Sequence, residues 1–203
     1  MSKRGLLMVF SGPSGVGKGT IIRPFIQGHP EVKLSVSATT RLPRPGEVDG
    51  VNYHFVSKED FEQMLEDGEL LEHAVYSGNY YGTPRSKVEE MLDDGFDVVL
   101  EIEVQGAQQV RRRCPHAVSV FVMPPSFGEL AKRLTGRKTE SPEVIERRLA
   151  IARREMDLAY EYDYILLNDN IYDAVEKLGT IIEAAKCTPK YMRDFIDEVN
   201  RNA

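Results

Sequence analysis

The sequence predicts an α/β fold: a three-layer arrangement of a parallel sheet core wrapped by helices, interrupted by a smaller β-rich insert. Two observations carry this prediction. Apolar runs of four to six residues alternate with amphipathic segments of roughly 10 to 20 along most of the 203-residue chain, as strand–helix–strand crossovers require. Between residues 35 and 83 this alternation gives way to small, β-branched and aromatic residues around one short helical stretch, which reads as a mixed or antiparallel excursion. A chain of this length reads as one domain. It buries about 70% of the surface its unfolded form exposes, so no disulfide or structural metal is needed to hold it together.

In chain order, residues 6–10 form a buried strand that runs into Ser11-Gly12-Pro13-Ser14-Gly15, and residues 21–27 continue as a helix. Residues 35–40 are extended, and residues 41–46 form a proline-punctuated loop. Ser57 with Asp60 is a capping box ahead of Phe61, Met64 and Leu65 at helical spacing, and Gly68 closes that helix. Residues 79–83 are strand-like; Thr83 as N-cap and Pro84 at the first helical position then open a helix that Gly95 ends. The β-rich runs 98–102 and 118–123 flank a segment of helical composition, 105–113. Ser126 with Glu129 caps a helix that reaches Leu134 and stops at Gly136. Ser141-Pro142 starts a longer helix with one apolar stripe of Ile145, Leu149, Ala152, Met156 and Ala159. Residues 164–167 form the last core strand, and residues 171–185 and 191–199 are closing amphipathic helices. In the last of these, Tyr191, Phe195, Ile196 and Val199 share a face expected to dock on the protein's own core, with a partner as the alternative.

Composition excludes several classes. At 41% hydrophobic and 29% charged the chain reads as an ordinary soluble protein. The longest apolar stretches, 6–10 and 117–123, fall far below the roughly 18 residues of a membrane span, and no signal-peptide pattern precedes them. Cys114 and Cys187 form no CxxC pair, which fits a reducing cytoplasm, and His29, His54, His73 and His116 form no i, i+4 zinc pair. A net charge of -6 argues against indiscriminate binding to a nucleic-acid backbone. The charge is uneven: residues 57–104 carry 14 acidic against 3 basic side chains, whereas residues 111–154 carry 11 basic against 4 acidic. This suits a ligand with one charged end and one neutral, donor-bearing end, and it also suits two solvated helix faces.

The chemistry begins at Gly12-Pro13-Ser14-Gly15-Val16-Gly17-Lys18, which matches the phosphate-loop pattern G-x-x-x-x-G-K between a strand and a helix. Glycines let successive amides turn toward phosphate oxygens, the helix N-terminus adds its dipole, and lysine reaches the terminal phosphates. Gly19 stands where Ser or Thr usually offers a hydroxyl to Mg²⁺; Thr20 lies about 100° further around the helix and is no simple substitute. Mg²⁺ commonly keeps several waters, so this departure is tolerable. Asp97-Val98-Val99-Leu100-Glu101 is an apolar strand ending in a carboxylate, a form suited to approach Mg²⁺, and Glu103 would share its face if the strand continued.

Residues 35–47 (Ser-Val-Ser-Ala-Thr-Thr-Arg-Leu-Pro-Arg-Pro-Gly-Glu), Tyr53, Gly78-Asn-Tyr-Tyr-Gly-Thr83, Glu101-Ile-Glu-Val-Gln-Gly-Ala and Asn168-Asp169 resemble guanylate kinase of the bacterial type. The resemblance covers about residues 4–185. It implies a P-loop core at residues 1–34 and 84–203, a GMP-binding insert at 35–83 and a helical lid at about 126–160. It further implies a phosphotransferase that moves the γ-phosphate of ATP to GMP or dGMP, with Mg²⁺, in purine nucleotide metabolism in the cytoplasm. ATP would lie on Gly12, Pro13, Ser14, Gly15, Val16, Gly17, Lys18, Gly19 and Thr20, with Asn168 at the adenine. GMP's phosphate calls for guanidinium forks and phenols, and the matching positions are Arg41, Arg44, Tyr53 and Tyr81. By the same resemblance Glu72, helped by Glu103, accepts from guanine N1–H and N2–H₂ while Ser37 and Thr83 supply hydroxyls. Adenine presents an acceptor at N1 and is rejected. Glu101 belongs with this substrate set, and Lys18, Arg41, Arg133, Arg137 and Arg148 would stabilise the transferring group. The family often has Asp where Glu101 and Glu103 stand.

Period-two alternation places Ser35, Ser37, Thr39 and Arg41 on one face, and Asn79, Tyr81 and Thr83 on another with Tyr80 opposite, in the core. Arg147, Arg153 and Arg154 read as solvated, and residues 111–113 as a favourable helix C-terminus. A guanylate-kinase-like interaction module is the rival from another class; the intact loop from Gly12 to Lys18 opposes it. The absence of an NKxD sequence opposes a GTPase, and Glu72 with Ser37 opposes a kinase for AMP or thymidylate. No protein-bound metal site, nucleic-acid partner or membrane partner is expected, and monomer and homo-oligomer both remain open.

Overall fold

The computed structural model describes residues 4–76, 78–136 and 142–201. In chain order these form β1 (Leu7–Ser11), α1 (Lys18–Gly28), β2 (Val32–Leu34), β3 (Ala38–Thr39), β4 (His54–Phe55), α2 (Lys58–Glu66), β5 (Leu70–Tyr76), β6 (Asn79–Pro84) and α3 (Arg85–Asp93). There follow β7 (Asp97–Glu101), α4 (Val104–Arg113), β8 (Val118–Met123), α5 (Phe127–Thr135), α6 (Pro142–Asp157), a 3₁₀ turn (Leu158–Glu161), β9 (Tyr164–Leu167), α7 (Ile171–Lys186) and α8 (Arg193–Arg201). One sheet has the order β2-β7-β1-β8-β9, with β2/β7 and β8/β9 parallel; a second has the order β4-β3-β6-β5. The strands and helices alternate as an α/β fold requires.

The chain divides into two compact units, Met1–Val9 with Glu31–Ala117 and Phe10–Pro30 with Val118–Ala203. Within the first, β3 and β4 are parallel while β3/β6 and β5/β6 are antiparallel, so the excursion is a mixed sheet. Ala38, Phe61 and Leu70 form its core, with Val56, Met64, Leu65 and Tyr80 packed around them. The Ser57 hydroxyl accepts from the Asp60 amide at 2.9 Å, and this cap orients α2 so that Phe61 points inward and stacks on Tyr80, ring centroids 5.3 Å apart. The buried Asp97 accepts from the Leu6 amide at 2.9 Å. Within the second unit, every residue of β8 but Met123 is buried, the apolar run of a strand covered on both faces. Asp163 accepts from both the amide and the hydroxyl of Ser119 at 2.7 Å, tying the turn before β9 to β8.

Four local expectations change, and one strand is present that the sequence does not announce. Val32–Leu34 is a sheet strand; at three residues with only Val32 buried it is too short to show a period. Residues 35–40 are not one strand: the Ser35 amide bonds Val99 in one sheet, and only Ala38–Thr39 pairs in the other. Thr83 is not the N-cap of α3, because its hydroxyl bonds Glu72, and Pro84 takes that position. Of β9 only Leu166 is buried, since this strand lies at a sheet edge. Helix α8 buries none of its residues, and Phe195, Ile196 and Val199 are exposed rather than docked on the core. Among the described residues no helix is long and apolar enough to cross a membrane.

Candidate active site

The phosphate-loop residues belong to the second unit. Strand β1 ends at Ser11, and the loop reaches α1 through Gly17, whose φ of 95° is left-handed and so favours glycine. A Cβ on Gly17 would lie 2.6 Å from Asn168 Nδ2, and one on Gly12 2.6 Å from the Val122 carbonyl oxygen. The loop is therefore packed against neighbouring backbone and side chains that leave no room for a larger residue. Asn168, 4% exposed, donates from Nδ2 to the Val16 carbonyl at 2.7 Å. Lys18, also buried, donates from Nζ to the Gly12 carbonyl at 2.8 Å, so its side chain folds back across the loop. No side chain caps α1, which leaves its N-terminal dipole directed at the loop. Thr20 is exposed at the first turn; an ideal Cβ on Gly17 would lie 3.8 Å from its hydroxyl.

Two of the three expected arginines join this loop. Arg148 on α6 donates to the Ser14 hydroxyl at 2.7 Å, and Arg133 on α5 donates to the Val16 carbonyl at 3.3 Å and the Asn168 carbonyl at 3.1 Å. Ser126 caps α5 by accepting from the Glu129 amide, and Glu129 in turn pairs with Arg133 one helical turn on. Arg137 lies outside the described residues. Arg153 is not merely solvated: its guanidinium lies 4.6 Å from the Phe127 ring centroid.

The first unit gathers a second group. Arg41 makes a two-pronged bond to Glu47, at 3.0 and 2.9 Å, and its guanidinium lies 5.4 Å from the Tyr53 ring and 5.8 Å from the Phe55 ring. It also bonds Tyr81, whose ring meets Tyr53 edge-on at 6.0 Å. Arg41 first, then the Arg44 amide at 2.7 Å, holds the Glu47 carboxyl below its ordinary range. Burial pushes the Tyr53 phenol up, and the neighbouring Tyr81 adds to the effect. Arg44 is exposed, and Ser37 is half-buried with its carbonyl accepting from the His54 amide at 2.9 Å. Thr39 is fully buried: its hydroxyl donates to the Tyr80 carbonyl and accepts from the Arg41 amide, which fixes where the arginine leaves the strand.

Glu72 is 5% exposed on β5. Its Oε1 accepts from the Thr83 hydroxyl at 2.8 Å and its carboxylate also accepts from the Thr83 amide. Burial pushes its pKa up, and the two Thr83 bonds and Arg113 act against that rise. Glu101 ends β7, and because the strand stops there Glu103 becomes the N-cap residue of α4 rather than a second carboxylate on the strand face. Among the described residues no three acidic, His or Cys side chains cluster as a metal site.

Three residues escaped sequence reasoning. Glu47 carries no local signal for its bond to Arg41, although it closes the quoted 35–47 motif. Gly106 packs directly on Glu72: a Cβ there would lie 2.4 Å from Oε2. Its signal was available, a glycine inside a helix where alanine would be about 1 kcal/mol better. Arg113, placed by its sequence to favour a helix C-terminus, donates instead to the Leu70 and Leu71 carbonyls at 3.0 and 3.1 Å.

The family model described as guanylate kinase matches residues 4–185. The chain belongs to the guanylate kinase family. It is 54% identical over 186 residues to a guanylate kinase of Desulfitobacterium hafniense, covering 92% of this chain and 93% of that one. It is 50% identical over 197 residues to one of Clostridium perfringens, covering 97% and 91%. The crystal structure of guanylate kinase from Anaplasma phagocytophilum matches with a TM-score of 0.76 at 32% identity, covering 97% of this chain and 95% of that chain. Members of this family transfer a phosphate from ATP to GMP.

Proposed function

We propose that this chain is an ATP:GMP phosphotransferase that forms ADP and GDP and accepts dGMP as well. The observation that carries the acceptor assignment is the buried Glu72 carboxylate bonded by Thr83. A carboxylate has about four lone-pair sites, so it can keep the Thr83 bond and still accept from N1–H and N2–H₂ of guanine. Adenine would set its N1 lone pair against that charge, and an unpaired buried group costs about 1–3 kcal/mol or more. Ser37 and Thr83 add hydroxyls at the base, with Glu101 and Glu103 as further acidic contacts.

Arg41, Arg44, Tyr53 and Tyr81 hold the GMP phosphate by charge-assisted bonds. Glu47 keeps the Arg41 fork ordered, which lowers the entropy lost on binding. The loop from Gly12 to Gly17, with Lys18, Gly19 and Thr20, holds the ATP phosphates, and Asn168 borders the adenine. Arg133 and Arg148, already bonded to loop atoms, and Arg137 lie on the lid and neutralise charge on the transferring group. The GMP phosphate oxygen attacks in line, so no protein nucleophile is required.

The donor set fits Mg²⁺ held chiefly by phosphates and water, because Gly19 offers no hydroxyl and, among the described residues, no acidic cluster forms a protein cage. When bound, Mg²⁺ would neutralise phosphate charge, and Thr20 beside the loop would offer a hydroxyl to its waters. The proposed division is a core at 1–34 and 84–203 with a lid at about 126–160 and an acceptor insert at 35–83, which the separate mixed sheet supports. The lid closes over ATP and excludes water. We assign the activity to the cytoplasm, with no nucleic-acid or membrane partner.

A coupled assay of ADP release with ATP and Mg²⁺ compares GMP, AMP, dTMP and no acceptor. Turnover with GMP and little with AMP is expected. GMP binding by calorimetry without turnover on any acceptor would replace the kinase by a binding module.

A further inference from the structure

Glu72 sits in a defect of its sheet. Leu70 pairs with Pro84 and His73 with Gly82, so Leu71 and Glu72 together face the single residue Thr83: a β-bulge. A bulge bends its strand and re-aims a side chain, and it leaves the ladder locally disrupted. β5 is also the outer strand of its sheet, so one row of its backbone groups has no neighbouring strand. Helix α4 supplies the missing partners. Gln109 accepts from the His73 amide at 3.2 Å and donates to the His73 carbonyl at 2.7 Å, and Arg113 donates to the carbonyls of Leu70 and Leu71.

The spacing explains why one helix can do this. Gly106, Gln109 and Arg113 are three and four residues apart and so share a helix face. Arg113 reaches Leu70 and Leu71 and Gln109, one turn earlier on the helix, reaches His73, so one face of α4 spans the bulged stretch of β5. Gly106 lies on the Glu72 carboxylate at one end, and the two polar side chains grip the backbone on either side of the bulge.

We propose that Gln109 and Arg113 are positioning residues for base recognition: they hold the bulged edge of β5 so that the Glu72 carboxylate is aimed at the guanine edge, and thereby set the preference for GMP over AMP. This rests on Glu72 reading the base. Neither residue touches substrate; Gln109 acts through His73, and Arg113 acts through Leu70 and Leu71 and by its charge on Glu72.

The test is steady-state kinetics on the full chain with GMP and AMP, beside melting midpoints. Gln109→Leu removes both bonds at similar volume and is expected to raise KM for GMP about tenfold and lower the GMP-to-AMP preference about tenfold, with KM for ATP within about twofold. Arg113→Met is expected to do the same, and Arg113→Lys, which keeps a donor for the two carbonyls, to restore most of the loss. In a Glu72→Gln background, Gln109→Leu should add no further change in KM for GMP, which a purely structural role would not produce. If Gln109→Leu fails to fold, the Arg113 pair decides alone. Variants that shift only the melting midpoint, with GMP KM and preference within twofold, would overturn the proposal while Glu72→Gln still abolishes GMP preference. If Glu72→Gln itself leaves that preference intact, the assignment of Glu72 and this proposal fall together.

Discussion

Gly106→Ala sets helix propensity against site geometry. Gly106 is the third residue of α4, and in a helix interior alanine is favoured over glycine by about 1 kcal/mol. The added Cβ would lie 2.4 Å from Glu72 Oε2, 3.1 Å from Cδ and 3.4 Å from Cγ. Ordinary contact begins near the last of these, so the carboxylate has to retreat by about 1 Å, and a misplacement of that size in a reacting complex costs up to about 100-fold. Its bond to Thr83, worth about 1 kcal/mol net, is strained at the same time and offsets the helical gain. Folding stability is therefore expected to change by less than about 1 kcal/mol, while kcat/KM for GMP falls about 10- to 100-fold, or about 1.4–2.7 kcal/mol. KM for ATP should stay unchanged. Urea unfolding and kinetics with GMP and AMP read both effects. A Gly106→Ala protein whose kcat/KM for GMP lies within twofold of the parent refutes the view that this helix face limits where Glu72 sits.

Gly17→Ala forces a left-handed φ on alanine and a Cβ 2.6 Å from Asn168 Nδ2; a loss of about 2–3 kcal/mol in urea unfolding and a weakened ATP titration are expected. Glu47→Gln removes the charge that orders Arg41, and KM for GMP should rise about 3- to 10-fold with KM for ATP unaffected, as initial rates at saturating partner substrate will report. Because burial raises the Glu72 pKa in the folded state, the folded protein holds its proton at pH values where the unfolded chain has released it. The Glu72 contribution to stability is thus fully present below the unfolded value and declines as pH rises toward the folded one; Glu72→Gln should flatten that slope in unfolding curves taken across the acid range. GMP binding has the opposite sign, strengthening as pH rises through the same window, which calorimetry at several pH values will show.

What was legible in the sequence was local. The phosphate loop, the caps at Ser57 and Ser126 and the buried runs of β1 and β8 are each written within a few consecutive residues, because glycine conformation, capping and strand burial are properties of short segments. The alternation that separates Tyr80 from Tyr81 also reads correctly. What was not legible depends on partners distant along the chain. Thr83 has the right chemistry for an N-cap and is diverted by Glu72, eleven residues away. The strand β2 exists because β7 lies beside it, and its own three residues hold too little pattern to announce it. Glu103 left the strand face because α4 begins at that point, a boundary that apolar periodicity does not mark. The bulge at Glu72 is a mismatch between two strands and has no signature in either one alone.

Tyr80 and Tyr81 are neighbours on one strand whose rings serve opposite ends, Tyr80 stacked on the core phenylalanine Phe61 and Tyr81 edge-on to Tyr53 beside Arg41. A slip of β6 by a single residue would exchange them. The same error that moved the Tyr81 phenol away from Arg41 would withdraw the ring that completes the small core of this sheet, and no miswired version of the hairpin could keep its stability. Selection for a well-packed insert is then, with no added device, proofreading of the proposed acceptor site: a chain that folds here at all has folded with its tyrosines assigned.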